Sequence, residues 1–417
     1  MRAAALPAGR PAVLFVSVPT GIGGSTRSLA TVLSHVADDA VCILAGPRSG
    51  RFVDLVRQNG IDLHLPIISS GRVRPLRRAW TAARLAAFAV RHRRRLAAIH
   101  ANGLKELSLS LPAAVVSRVP LVVWVHNFAV PPSVRLFGWL WRTVLPRCDV
   151  RWAAVSPLAR DIAVGARLTA AGDVVIVPNP IDAADVVAPA RQVSDTVSVA
   201  YLGAPRKYKG FAQLPAIVEQ SQRLVSAEWL VFSHQTDDDL DATWQQLRTM
   251  AADGLVSLEG KFPDVRSVYA RCDIVVCPSE LESFCRVAAE AMLNGIPVVG
   301  SDLAPIRALL GDDEAGLLFP VGDTERAAAA IARLVEDDEL RARLGEAGRR
   351  RAAPYNPASV RRQLLELYGI GDATAGVTAA ARADAGVPWR AGRRRAAGRH
   401  HRAPTSAPDP MPRPPGP

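Results

Sequence analysis

The stretch 279–301, SELESFCRVAAEAMLNGIPVVGS, reads as a strand end, a loop, a helix, a turn and a second strand. Apolar residues fall at Phe284, Val287, Ala288, Ala291 and Met292. That spacing of i, i+3, i+4, i+7 and i+8 is the stripe of a helix packed on a sheet. Gly295 supplies the C-terminal stop, and Pro297 opens a β-branched run at Val298 and Val299. Two carboxylates stand outside this packing logic. Glu282 comes before the helix, where the chain leaves the preceding strand, and Glu290 lies off the stripe by roughly 130°.

The same alternation runs through the chain. Val/Ile/Leu-rich runs at 13–18, 41–45, 64–68, 97–100, 121–126 and 151–155 make the strands expected in the first half. Runs at 174–177, 197–202, 229–233, 256–258, 273–277 and 297–300 make those expected in the second. Helical patterns separate them, which predicts an α/β protein of two Rossmann-like domains, each a parallel sheet covered on both faces. The prolines and polar stretch in VPNPIDAADVVAPARQVSDTVSVAYLG mark an interdomain linker. Expected boundaries are 1–178, 179–352, a C-terminal helix crossing back at 353–370, and a disordered Ala/Arg/Pro-rich tail at 371–417. Ligands of open α/β sheets bind beyond the carboxyl ends of the strands, so functional residues are expected there, facing a cleft.

At 417 residues, 49% hydrophobic and 22% charged, the chain has the length and composition of a multidomain globular protein. AVLFVSV runs into PTGIGGS without a small-residue cleavage site, so it reads as a first strand rather than a leader. The longest apolar runs are too short to span a bilayer. Five cysteines form no CxxC and no Cys/His cluster, which argues for a reducing compartment and against a zinc site. The formal net charge is +12, and the tail carries eight Arg against three Asp. RVRPLRRAWTAARLAAFAVRHRRR, 72–95, has no acid at all. Such a surface suits an anionic partner, and an amphipathic helix of this type can rest on anionic lipid. It is equally the pattern of a solvated helix with one sheet-facing stripe.

Four strand-end segments carry candidate chemistry. In SVPTGIGGSTRSLA, 17–30, Gly21, Gly23 and Gly24 turn the chain into a helix capped by Ser25 or Thr26, and amides at a helix start attract phosphate. The dinucleotide fingerprint is incomplete, since Thr26 replaces its last glycine and the second strand ends without a ribose-binding acid. His126 ends the strand of VVWVHNF and points toward the cleft, where it is either a packed core residue or a ligand contact. YLGAPRKYKGFAQL carries Arg206, Lys207 and Lys209 just before Gly210, which opens a helix; the three cations at that helix N-terminus are a solvated loop or a diphosphate clamp. In the opening stretch, Glu282 stands at the cleft mouth while the amides of Phe284, Cys285 and Arg286 start the next helix. Carboxylates accept bonds from paired hydroxyls, so Glu282 and Glu290 suit ribose and hexose.

ESFCRVAAEAMLNGIPVV resembles the E-x7-E signature of the retaining glycosyltransferases of family 4, which have the GT-B fold. GIGGSTRSL, VHNF, AVSPLARD, VPNPID, YLGAPRKYKG and AGLLFPVGD follow in the family's order, over about residues 12–368. The resemblance implies that Glu290 holds the ribose of a nucleotide sugar and Glu282 the donor sugar's hydroxyls. Lys209 matches a phosphate-binding lysine, Gly23 and Gly24 lie near the diphosphate, and His126 contacts the sugar. No metal or other cofactor is implied. Two positions depart from the pattern. Ala204 stands where an Arg is usual, leaving Arg206 or Lys207 to supply that charge, and Cys285 stands where a glycine is usual.

The expected activity is transfer of a sugar from a nucleotide-diphosphate donor to an acceptor hydroxyl, with retention and without a protein nucleophile. The acceptor class expected is a lipid-linked or envelope glycan, and the expected station is cytoplasmic, on the inner face of the plasma membrane. A nucleotide-sugar 2-epimerase of the same architecture is the nearest rival. A non-enzymatic anionic membrane or nucleic-acid binder leaves the ordered strand-end motifs unexplained, and no nucleic-acid-binding signature supports it.

Overall fold

A computed structural model describes residues 6–7, 9–58, 61–67, 75–136, 138–186, 195–233, 241–260 and 264–371. The first sheet comprises β1 (Ala12–Val16), β2 (Val41–Gly46), β3 (Leu63–Pro66), β4 (Leu96–Ala101), β5 (Leu121–Val125), β6 (Val150–Ala154) and β7 (Val174–Ile176). The second comprises β8 (Ser198–Leu202), β9 (Glu228–Phe232), β10 (Ser257–Leu258), β11 (Ile274–Cys277), β12 (Val298–Ser301) and β13 (Gly316–Phe319). Spatial orders are β3-β2-β1-β4-β5-β6-β7 and β10-β9-β8-β11-β12-β13. Every pairing is parallel. Strands covered on both faces lose the polar alternation of a half-exposed sheet. Accordingly AVLFV in β1 and LVVWV in β5 are buried at every position.

Crossover helices of the first half are α1 (Gly24–Val36), α2 (Arg51–Gln58), α3 (Pro75–His92), α4 (Leu107–Ser117), α5 (Pro132–Leu136), α6 (Gly138–Val144) and α7 (Pro157–Gly165). The connection holds α8 (Ala183–Val186). The second half adds α9 (Leu214–Gln222), α10 (Asp241–Ala252), α11 (Val265–Tyr269), α12 (Arg286–Leu293), α13 (Ala304–Leu310), α14 (Thr324–Glu336) and α15 (Asp338–Ala352). Then α16 (Pro357–Tyr368) returns to the first half. Arg361 pairs with Asp39, Arg151 donates to the Leu367 carbonyl at 2.6 Å, and the Tyr368 hydroxyl shares a 2.8 Å bond with His100. No helix among the described residues is long and apolar enough to cross a membrane.

Two strand expectations need correction. The run at 174–177 does not open the second sheet; as β7 it pairs with β6 at the edge of the first. The segment Gly316–Phe319, not expected as a strand, closes the second sheet beside β12. Four of the expected segments fall partly outside the described residues: position 68 of the strand at 64–68, 72–74 of the basic stretch, 187–194 of the linker, and all of the tail beyond Gly371.

Candidate functional site

Strands β8 and β11 are neighbours, and both release their chains at the carboxyl edge of the second sheet. The loop after β8 makes a short 3-10 turn over Lys207–Lys209, and Gly210 takes φ 71°. As its sequence suggests, Gly210 then opens a helix, capping a 3-10 turn over Phe211–Gln213 that runs into α9. A Cβ on Gly210 would meet the Pro278 carbonyl oxygen at 1.8 Å, so only glycine lets the two loops touch. The backbone carbonyl of Tyr208 accepts from the amides of Glu280 and Leu281 at 2.9 and 3.2 Å. This contact carries Lys209 to Glu282, where their side chains form an ion pair. The Lys209 side chain is 30% exposed and that of Glu282 8%. Burial alone would lower the Lys209 pKa; the charge and hydrogen bond of Glu282 outweigh it and hold the ammonium above the ordinary lysine range. Ser279 adds a 3.4 Å bond to Glu282. Arg206 and Lys207 lie exposed on the same turn.

The helix of the E-x7-E stretch begins at Arg286, not at Phe284. Phe284 is buried edge-on against Tyr355, with ring centres 5.5 Å apart. Cys285 is the N-cap and adopts φ 66°, the left-handed region that costs a non-glycine residue about 1 kcal/mol or more. The glycine usual at this position answers to that backbone. Glu290 lies off the apolar stripe yet is buried, because other elements cover that face. Its Oε2 accepts from the Tyr269 hydroxyl at 2.9 Å and its Oε1 from Arg286 Nε at 2.7 Å. Each carboxylate oxygen has two lone pairs, so capacity remains for two more donors.

The first sheet presents a more open edge. Gly23, not Ser25 or Thr26, is the N-cap of α1. Thr26 accepts from the Gly23 amide at 2.7 Å through its Oγ1. A Cβ on Gly21, Gly23 or Gly24 would meet nothing within 4 Å, so this turn is open on its outer side, although the Gly23 amide is already taken by Thr26. His126 follows β5 and stacks edge-on to Trp124 at 4.3 Å. Burial, then the charge of His100, push its pKa down to about 3, with Asn179 offsetting part of this. The ring is therefore neutral at physiological pH. Both its nitrogens are shielded, and neither makes a hydrogen bond of ordinary geometry.

Several groups at the two edges carried no sequence signal. Tyr269, beside Glu290 in the second half, is one. Phe128 of the first half, 5.7 Å from the Tyr208 ring of the second, is another. A third is Glu106, which accepts from the Val18 amide at 3.3 Å. Burial lifts its carboxyl to about 7 despite that bond and the charges of Lys105 and Arg78. Among the described residues no group of three or more His, Cys, Asp or Glu has the arrangement of a metal site.

Comparison with known proteins places the chain in a family. Residues 199–351 match the family described as "Glycosyl transferases group 1", and residues 21–185 match "Glycosyltransferase Family 4". A phosphatidyl-myo-inositol mannosyltransferase of Mycobacterium tuberculosis (strain CDC 1551 / Oshkosh) is 31% identical over 287 residues, covering 65% of this chain and 72% of the relative. The chain belongs to glycosyltransferase family 4. A Mycolicibacterium smegmatis protein of the same description is 28% identical over 375 residues, 84% of this chain and 90% of that one. Solved structures agree on the fold of this glycosyltransferase. Anabaena Alr3699/HepE, in complex with UDP and glucose, superposes with a TM-score of 0.70 at 20% identity, covering 86% of this chain and all of that one. A Rickettsia africae glycosyltransferase superposes with a TM-score of 0.75 at 15% identity, over 86% of this chain and 98% of that one. The two-domain α/β architecture is thus GT-B.

Proposed function

We propose that this glycosyltransferase moves a hexose from a nucleoside diphosphate to an acceptor hydroxyl, retaining configuration at the anomeric carbon. One observation carries this reading. The loops after adjacent strands join Lys209 to Glu282 just before α12, and the first residue of α12, Arg286, holds Glu290 and touches α1 close to its glycine turn. In the reaction the bond from the anomeric carbon to the diphosphate breaks and a bond to the acceptor oxygen forms. Negative charge grows on the departing diphosphate, which takes the acceptor's proton. Fixed positive groups aimed at that charge stabilise it most. Lys209, the adjacent Arg206 and Lys207, the amides at the start of α12, and the glycine turn at Gly23 and Gly24 once the Gly23 amide leaves Thr26, supply them without a metal. Glu290 receives the ribose hydroxyls. Glu282 aligns the sugar, an orientation role, and neutral His126 bonds a sugar hydroxyl. The donor diphosphate competes with Glu282 for Lys209 as it binds.

The relatives named for phosphatidyl-myo-inositol and D-inositol 3-phosphate suggest an acceptor bearing a phosphorylated polyol. Helix α3 supports membrane delivery of such a lipid. Its Leu85 and Ala89 are buried, while Leu76 and Trp80 are 85% and 59% exposed beside Arg77, and Arg84 stacks 4.6 Å above the Trp80 ring. Apolar tips ringed by guanidinium groups suit an anionic interface.

A thermal-shift panel of UDP-, GDP- and dTDP-sugars identifies the donor, since binding raises the melting temperature by mass action. Transfer to phosphatidylinositol is then followed by NMR of the anomeric proton, with the α-linked product expected from an α-linked donor. An isomerised nucleotide sugar formed without acceptor would replace this reading with an epimerase. Failure to pellet with phosphatidylinositol vesicles at low salt would remove the membrane role.

A further inference from the structure

Arg286 occupies a position where a cation is disfavoured. It is the first residue of α12, at the positive end of the helix dipole. It precedes Glu290 by one turn, the weaker order for an ion pair along a helix. Its side chain is only 11% exposed and that of Glu290 4%, so the pair is largely desolvated. Buried pairs of this kind contribute little net stability. A role beyond stability accounts for the placement.

The guanidinium bridges three parts of the chain. Nε holds Glu290 at 2.7 Å. Nη1 donates to the Pro180 carbonyl at 2.8 Å, in the connection between the two sheets. The same nitrogen reaches Ser28 Oγ at 3.3 Å, on α1 one turn beyond the glycine turn. The carboxylate assigned to the ribose is therefore oriented by a side chain whose other end is fixed by the connection and by the opposite half.

We propose that Arg286 is a positioning residue that couples nucleotide recognition to closure of the two halves. With the halves together, Pro180 and Ser28 fix Arg286, and Arg286 fixes Glu290 in the orientation that accepts the ribose hydroxyls. When the halves separate, that support is lost and the grip on the nucleotide weakens. By linkage, bound nucleotide favours the closed arrangement by the same free energy. The inference rests on the assignment of Glu290 to the ribose.

The test is a double-mutant cycle on the full chain, with UDP, GDP and dTDP each titrated by calorimetry. Arg286→Leu is expected to weaken binding of the recognised nucleotide by about 10-fold or more, the loss typical of a charged hydrogen bond. Arg286→Lys keeps a charge for Glu290 but lacks the second arm, and is expected to fall between Leu and the native residue. Ser28→Ala leaves the Arg286–Glu290 pair intact and is expected to weaken binding about 2- to 5-fold. The Arg286→Leu/Ser28→Ala double variant is expected to bind no more weakly than Arg286→Leu alone, because both changes cut one linkage. Two fully additive losses, or an Arg286→Leu protein that binds like wild type, would overturn the coupling. Should Arg286→Leu not fold, native-strength binding by both Ser28→Ala and Arg286→Lys would do the same. Wild-type protein that binds none of the three nucleotides would overturn the donor reading, and this inference with it.

Discussion

The carboxyl edges of the two sheets solve the same problem differently. At the second sheet every charged group central to the site is already engaged: Lys209 with Glu282, and Glu290 with both Tyr269 and Arg286. At the first sheet the glycine turn faces open space and the His126 nitrogens make no ordinary hydrogen bond. A pre-bonded constellation is rigid and recognises one kind of ligand. An edge of exposed glycines and a neutral ring adapts more easily.

Breaking the second edge should have the larger effects. Lys209→Ala and Glu282→Ala are each expected to lower kcat/KM for transfer by about 10²- to 10³-fold, the range for removing one preorganised charge contact. Near-native rates in both would remove the assignment. Gly210→Ala sets a Cβ against the Pro278 carbonyl at 1.8 Å. It is expected to cost about 3 kcal/mol or more by chemical denaturation and to separate Lys209 from Glu282.

At the first edge the effects should be smaller and partly visible only with pH. His126→Ala is expected to lower kcat/KM about 10-fold. Because the ring titrates at about 3, the wild-type activity profile should show no His126 step between pH 5 and 8. Its stability signature is separate. His100 and His126 both sit at about 3 when folded and near 6.5 when unfolded. Below pH 6.5 the unfolded chain binds more protons, so stability falls as pH drops from 6.5 toward 3. Glu106 acts oppositely. Its carboxyl sits at about 7 when folded and 4.5 when unfolded, so its contribution is present below 4.5 and lost as pH rises through 7. Glu106→Gln keeps an acceptor for the Val18 amide and is expected to gain about 1–3 kcal/mol at pH 8 and little at pH 4.5. Cys285→Gly should have the smallest effect, raising stability by about 0.5–1 kcal/mol as the left-handed backbone is relieved.

How much of this was readable beforehand follows from what each feature depends on. Doubly covered strands announce themselves as unbroken Val/Ile/Leu runs, so both sheets were visible along the chain. Which sheet a short edge strand joins depends on its hydrogen-bond partner, and VVI at 174–176 carries no trace of that choice. GLLF at 316–319 opens on a glycine and is only four residues long, a weak strand signal, although β12 pairs with it along all four residues. The spacing of Glu282 and Glu290 around a helix start was legible as a pattern. The partners that lock them were not, because Tyr269 arrives from α11, and Ser28 and Pro180 are distant in sequence. Lys209 was legible as one of three clustered cations. The family resemblance singled it out from Lys207, and the fold gives the reason by bringing the Gly210 turn against Pro278.

The central claim is that the Lys209, Glu282 and Glu290 constellation receives a nucleotide sugar. The most direct measurement is a crystal structure of the protein with the nucleoside diphosphate that raises its melting temperature most. A diphosphate oxygen within about 3 Å of Lys209 Nζ, with ribose hydroxyls on Glu290, is the predicted result. A nucleotide bound elsewhere, with the Lys209–Glu282 pair undisturbed, would contradict the account.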